Sequence, residues 1–184
     1  MSTSAADSSA HKSITSRGRE LNSVGGLEIR PAALEDLEDL LEIYLSSASD
    51  HVGLDPAHYR VPDRAEAAER LREIVEDDGR SSGYLAAVVN GRVVGSTSIA
   101  LLPPPSAGSM LAPVATAEIG IAVLDHERDH GVGTALMAAA EAWAAERGIR
   151  VVVLDMSVRN VAAQRFYERL GYEVQGLYLR KAIG

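Results

Sequence analysis

Leu154-Asp155-Met156-Ser157-Val158-Arg159-Asn160-Val161-Ala162-Ala163-Gln164-Arg165-Phe166-Tyr167-Glu168-Arg169-Leu170-Gly171-Tyr172 is the stretch whose reading decides the fold. It opens at the end of a buried-type strand, Val151 to Leu154, and turns polar at once. Asn160 has the side chain of a helix N-cap, an oxygen that accepts from the N–H groups of the first turn. Gly171 stands where a helix ends on a residue of positive φ. The stretch therefore predicts a helix over Asn160–Leu170, and a last strand from Tyr172 to Arg180.

Upstream, Val132, Leu136, Ala139 and Trp143 recur at helical spacing and predict a helix over Gly131–Arg147 that Gly148 terminates. A long apolar strand, Val114 to Leu124, precedes it, beyond a loop carrying Pro103-Pro104-Pro105. Asn90-Gly91 between two β-branched runs is a hairpin turn, because both residues accept positive φ. Leu27 to Arg30 reads as the first strand, and Leu34, Leu37, Leu41 and Tyr44 mark one face of the first helix. His51 to Pro62 reads as irregular chain. Asp63 and Glu66 form a capping box for a second helix with Ala68, Leu71 and Val75 on its apolar face. The order is strand, two helices, three strands, helix, strand, helix, strand, an α/β chain with a mixed sheet and helices on both faces.

Composition agrees with one such domain. The chain has 184 residues, 46% hydrophobic and 24% charged, enough for a well-developed core. Residues 1–26 are small and polar without periodicity and are expected to form a disordered tail, leaving 27–184 as the domain. They hold no apolar core of a secretory peptide, and no run is long enough to span a membrane, so a cytoplasmic protein without membrane contact is expected. The absence of cysteine excludes disulfides and thiolate metal sites. A formal net charge of −8 argues against nucleic acid and favours a cationic partner such as an amine.

Asp125-His126-Glu127-Arg128-Asp129-His130-Gly131-Val132-Gly133-Thr134 admits four readings. One is a pyrophosphate cradle, in which glycines at a helix N-terminus let an anion approach successive N–H groups, with Arg128 and His130 at the mouth. Another is a dinucleotide fingerprint paired with Asp155, opposed by Leu136 where a third small residue belongs. A third is zinc hydrolysis, because His126-Glu127-Arg128-Asp129-His130 matches H-E-x-x-H. Such a site needs both histidines on one continuous helix, whereas a strand and two glycines bracket this segment. The fourth is a solvated charged loop without a ligand. This window alone does not separate the cradle from the solvated loop.

Together the two windows resemble the GNAT superfamily of N-acetyltransferases. Val123, Arg128, Gly131 and Gly133 match its V-x-x-x-x-R-x-x-G-x-G/A segment. Asn160, Ala163, Phe166, Tyr167, Gly171 and Tyr172 match its N-x-x-A-x-x-F-Y-x-x-x-G-F/Y segment. The resemblance implies a mostly antiparallel mixed sheet, splayed at its two central parallel strands to admit acetyl-CoA as co-substrate, with no metal. It assigns the coenzyme's pantetheine arm to Ile121, Ala122, Val123, Asn160 and Ala163. It assigns the pyrophosphate to Arg128, Asp129, His130, Gly131, Val132, Gly133 and Thr134. Tyr167 would protonate the departing thiolate, and Glu118 would take the proton of the attacking amine through water. With no cysteine for a thiol acyl-enzyme, direct attack in a ternary complex follows.

For the acceptor, a small-molecule or peptide amine is expected, lying against the N-terminal helices, the 51–62 and 102–113 loops and the last strand. His51, Asp55, His58 and Tyr59 read as loop decoration rather than as pocket lining. The resemblance also brings the expectation of a homodimer. Two other functions stay open: a zinc metallohydrolase built on His126 and His130, and a CoA-binding module without catalysis.

Overall fold

The computed structural model describes residues 21–24, 26–77, 82–177, 179–181 and 183. Its elements, in chain order, are β1 (Leu21–Val24), β2 (Leu27–Pro31), α1 (Leu37–Leu54), α2 (Arg64–Glu76), β3 (Ser82–Val89), β4 (Arg92–Leu101), β5 (Thr116–Val123), α3 (Val132–Glu146), β6 (Val151–Val153) and α4 (Val161–Arg169). The six strands lie side by side in chain order, antiparallel except for the parallel pair β5–β6. A parallel pair needs a crossover, which α3 supplies.

Local chemistry sets the boundaries. Asn90 (φ 51) and Gly91 (φ 77) make the β3–β4 turn. The Asp63 carboxylate accepts from the N–H groups of Ala65 (2.8 Å) and Glu66 (3.1 Å) and so starts α2. Gly148 and Gly171 close α3 and α4 in the same way. In each, the glycine N–H and the next residue's N–H (Ile149, Tyr172) return to carbonyls of the last turn.

The two faces of the sheet bury different sets. Leu85, Ala87, Val94, Ile99, Ala117 and Ile119 pack against Leu136, Met137 and Ala140 of α3. Ala86, Val88 and Val93 pack on the other side against Leu40, Leu41 and Ile43 of α1 and Leu71 of α2. Helices on both faces of a mixed sheet are what the sequence order implied.

Four expectations are corrected. Leu21–Val24, assigned to a tail over residues 1–26, forms β1: Gly26 at φ +88 reverses the chain, and the outer edge of β2 takes its hydrogen bonds. Residues 1–20 of that tail lie outside the described residues. The helix α1 runs on to Leu54 through what reads as irregular chain. No strand forms over Tyr172–Arg180 among the described residues, and Val174, Leu177 and Leu179 stay 70%, 74% and 87% exposed. Apolar alternation makes a strand only where an edge accepts its ladder, and β6 offers just three residues. Among the described residues the parallel pair thus lies at the end of the sheet rather than at its centre.

Candidate active site

The pairing of β5 with its two neighbours is unequal. It matches β4 along its whole length, from Ala117↔Leu101 to Val123↔Gly95. With β6 it pairs only from Thr116↔Val151 to Glu118↔Val153. The Leu102 N–H donates to the Thr116 carbonyl and the Leu124 N–H to the Val94 carbonyl, so the even-numbered residues of β5 turn their polar groups to β4. Ile121 and Val123 therefore turn theirs to the other side, where β6 has ended. This is the splay between parallel strands that the sequence reading expected, and its wall is main chain.

Directly beyond that edge the chain passes through a 3-10 turn (Asp125–Glu127) into the start of α3. Two residues of the connection are left-handed, Asp129 (φ 63) and Gly131 (φ 83). The first helical hydrogen bond runs from the Ala135 N–H to the Gly131 carbonyl, and no side chain caps the helix. The N–H groups of Val132, Gly133 and Thr134 precede it, at the positive end of the helix dipole. The two glycines do different work. At Gly131 the space is open and the conformation requires glycine. At Gly133 an added Cβ would lie 3.2 Å from Cζ of Phe166, so its bare backbone lets α4 approach α3.

Arg128 does not point freely at this turn. Its Nη2 lies 2.6 Å from the Asp50 carboxylate of α1 and 2.7 Å from that of Asp125, and its Nε donates to the Val123 carbonyl (3.3 Å). His126 and Glu127 occupy the 3-10 turn, while His130 stands beyond it in the connection, exposed. The continuous helix that H-E-x-x-H chemistry requires is not formed here. No three His, Asp or Glu side chains converge to hold a metal among the described residues.

Asn160 caps α4, its Oδ1 accepting from the Ala163 N–H at 3.0 Å, which leaves its NH2 group able to donate elsewhere. Tyr167, on α4, packs half-buried on the α3 side of the sheet, edge-on to Phe166 (5.2 Å) and Tyr172 (5.9 Å). Its hydroxyl has no hydrogen bond among the described residues, and burial raises its pKa above the ordinary tyrosine value. Tyr172 is fixed by donating to Glu141 of α3 at 2.9 Å. Glu118 alternates with the buried Ala117 and Ile119, so it projects, exposed, from the α1 side. Glu118 and Tyr167 thus lie on opposite faces of β5, flanking the strand whose edge is open.

Two features had no sequence signal that marked them as site residues. His51 and Tyr59, read as decoration, line a cavity between α1 and α2. Asp50 was not singled out at all, since its partner Arg128 is far along the chain and only the fold joins them.

Comparison with known proteins identifies the family. The acetyltransferase (GNAT) family model matches residues 37–172. An uncharacterized N-acetyltransferase, MJ1207 of Methanocaldococcus jannaschii, is 32% identical over 146 residues, 79% of this chain and 60% of that protein. The chain thus spans less than two thirds of that relative. The aminoglycoside N(6')-acetyltransferase type 1 of Stenotrophomonas maltophilia is 30% identical over 112 residues, 61% of this chain and 72% of that enzyme. Among solved structures, AAC(6')-Iy in complex with the bisubstrate analog CoA-S-monomethyl-acetylneamine superposes with a TM-score of 0.62 at 25% identity, covering 85% of this chain and 99% of that one. No helix among the described residues is long and apolar enough to cross a membrane. The chain belongs to the acetyltransferase (GNAT) family.

Proposed function

We propose that this protein transfers the acetyl group of acetyl-CoA to a primary amine of a small molecule by direct attack in a ternary complex. The observation that carries the proposal is the open edge of β5 leading into the uncapped N-terminus of α3. A pantetheine arm carries two amides and fits the first as an added strand. A pyrophosphate fits the second.

The N–H and C=O of Ile121 and the N–H of Val123 pair with the pantetheine, with Ala122 between them and Asn160 and Ala163 across the gap. Asp129 to Thr134 surround the pyrophosphate, and Arg128 holds the turn in place. Through water, Glu118 takes a proton from the arriving ammonium; the freed nitrogen then bonds to the thioester carbonyl carbon and sheds its second proton to solvent. The tetrahedral intermediate then expels the thiolate, which takes a proton from Tyr167. Acid and base flank the strand from opposite faces, which keeps the two proton transfers apart. Aminoglycosides, named in the descriptions of two of the similar proteins, are the amines to try first, and a net charge of −8 suits a polycation.

The test is calorimetric titration with acetyl-CoA, followed by an amine screen read with a thiol reagent. The chain has no cysteine, so any thiol signal is released CoA. Acetyl-CoA binding with turnover of at least one amine supports the proposal. Binding without turnover of any amine would leave a CoA-binding module, and no binding would overturn both.

A further inference from the structure

Away from the open edge, α1 lies over β4 and β5 and α2 over β3. Between the two helices and the linker joining them opens a cavity of about 480 Å³. Tyr44, Ser47 and His51 of α1, Tyr59 and Arg60 of the linker, and Arg70 of α2 wall it. The His51 Nδ1 lies 2.7 Å from the Ser47 carbonyl, to which it donates, and its ring meets Tyr59 edge-on at 4.9 Å. One wall is therefore a fixed pair of rings.

Arg30, Arg64, Arg72, Arg92 and Arg128 are each bridged to a carboxylate. The exposed side chains of Arg60 and Arg70, like those of Arg150, Arg165 and Arg169, have no partner among the described residues, and Arg60 and Arg70 both line this one cavity. Glu66 is the single carboxylate in the wall and pairs with neither of them. Two unmatched guanidinium groups in a chain of net charge −8 make a local cationic site inside an acidic field. A planar fork of donors suits a carboxylate or a phosphate. Tyr44, Tyr59 and His51 suit a flat apolar body.

We propose that the α1–α2 cavity binds a small organic acid, an aromatic or other planar body bearing one carboxylate or phosphate, at a site separate from that of acyl-CoA. With α1 between them, the cavity and the open edge of β5 lie on opposite sides of that helix.

The test uses the full chain saturated with CoA, so that the coenzyme site is filled. It is titrated with phenylacetate, phenyl phosphate and the neutral phenylacetamide. None of these carries a reactive amine, so the outcome does not depend on acetyl transfer. At least one acid should bind about tenfold or more tightly than the amide. Which acid binds better tells carboxylate from phosphate. The double substitution Arg60→Gln with Arg70→Gln should cost that acid at least about tenfold while CoA affinity stays the same, which also shows that the variant is folded. Failure of both acids to bind, equal binding of the amide, or full binding by the double variant would each overturn the proposal.

Discussion

The guanidinium of Arg128, from the turn before α3, is held 2.6 Å from the carboxylate of Asp50, near the end of α1. Residues distant in sequence thereby fix the turn before α3, the proposed pyrophosphate site, against α1. Asp125 shares the same cation, at 2.7 Å. A charge facing two carboxylates attracts a pyrophosphate less than a bare one does. Asp50→Asn should therefore tighten CoA binding about two- to fivefold, the range of a partly exposed ion pair, and Arg128→Gln should weaken it. Titration calorimetry at low salt reads both signs. A weaker complex for Asp50→Asn would mean that anchoring the turn matters more than freeing the charge.

Tyr167→Phe should leave CoA affinity nearly intact and slow turnover at least about tenfold. Because burial raises the pKa of this phenol, it stays protonated through neutral and mildly alkaline pH. No loss of kcat from its ionisation is expected below about pH 10. Unchanged turnover in the variant would remove Tyr167 from the reaction.

For Glu118→Gln, the defect should depend on pH in a defined direction. A base is needed only while the amine arrives protonated, so the loss should be largest near neutrality and shrink as pH approaches the amine's own pKa. A loss constant with pH would indicate a positioning role instead.

Gly133→Ala places a methyl group against Phe166, whose Cζ would be 3.2 Å away. It should destabilise the protein by about 1–3 kcal/mol, as overpacking does. Combining it with Phe166→Leu should recover part of that loss, a coupling seen between residues in contact. Gly131→Ala meets no atom, so its strain at φ +83 should not be relieved by the same partner. Urea melts of the single and double variants decide this.

Asp36 is 7% exposed and accepts from Arg30 at 2.7 and 2.8 Å and from the Ala33 N–H at 2.8 Å. Burial alone would raise its pKa, but these bonds outweigh it and hold the carboxyl below its ordinary value. A depressed carboxylate adds stability above its unfolded pKa and loses it as pH falls through the folded one. Asp36→Asn should therefore cost about 1–2 kcal/mol at neutral pH, and the gap from wild type should close below the ordinary carboxylate range. A gap that persists there would point to packing rather than charge.

Where local chemistry alone decides, the sequence reads through to the structure. Asn160, Asp63, Asn90-Gly91, Gly148 and Gly171 each do what their side chain or its absence dictates. Periodicity placed α3 and the two-faced sheet correctly. It failed over Tyr172–Arg180, because a strand needs an edge as well as a pattern. It failed at Leu21–Val24 for the converse reason, since an edge recruited a segment with little pattern of its own. In the candidate site, Gly131 was legible as a turn residue. The contact that Gly133 makes with Phe166 joins two helices and belongs to the fold. So do the Asp50–Arg128 bond and the convergence of His51, Tyr59, Arg60 and Arg70 on one cavity.

The groups that β5 leaves open, the N–H and C=O of Ile121 and the N–H of Val123, belong to the backbone, and almost every residue type carries them alike. Exchanging either side chain would alter packing on the α3 side but would leave the donors and acceptors where they are. Only proline, which has no N–H, would delete one. On the function proposed above, a donor grip of this kind is nearly indifferent to mutation. Evolution is then free to rewrite Glu118's surroundings, the α1–α2 linker and the loop after β4, moving from one amine to another without relearning how to hold the coenzyme.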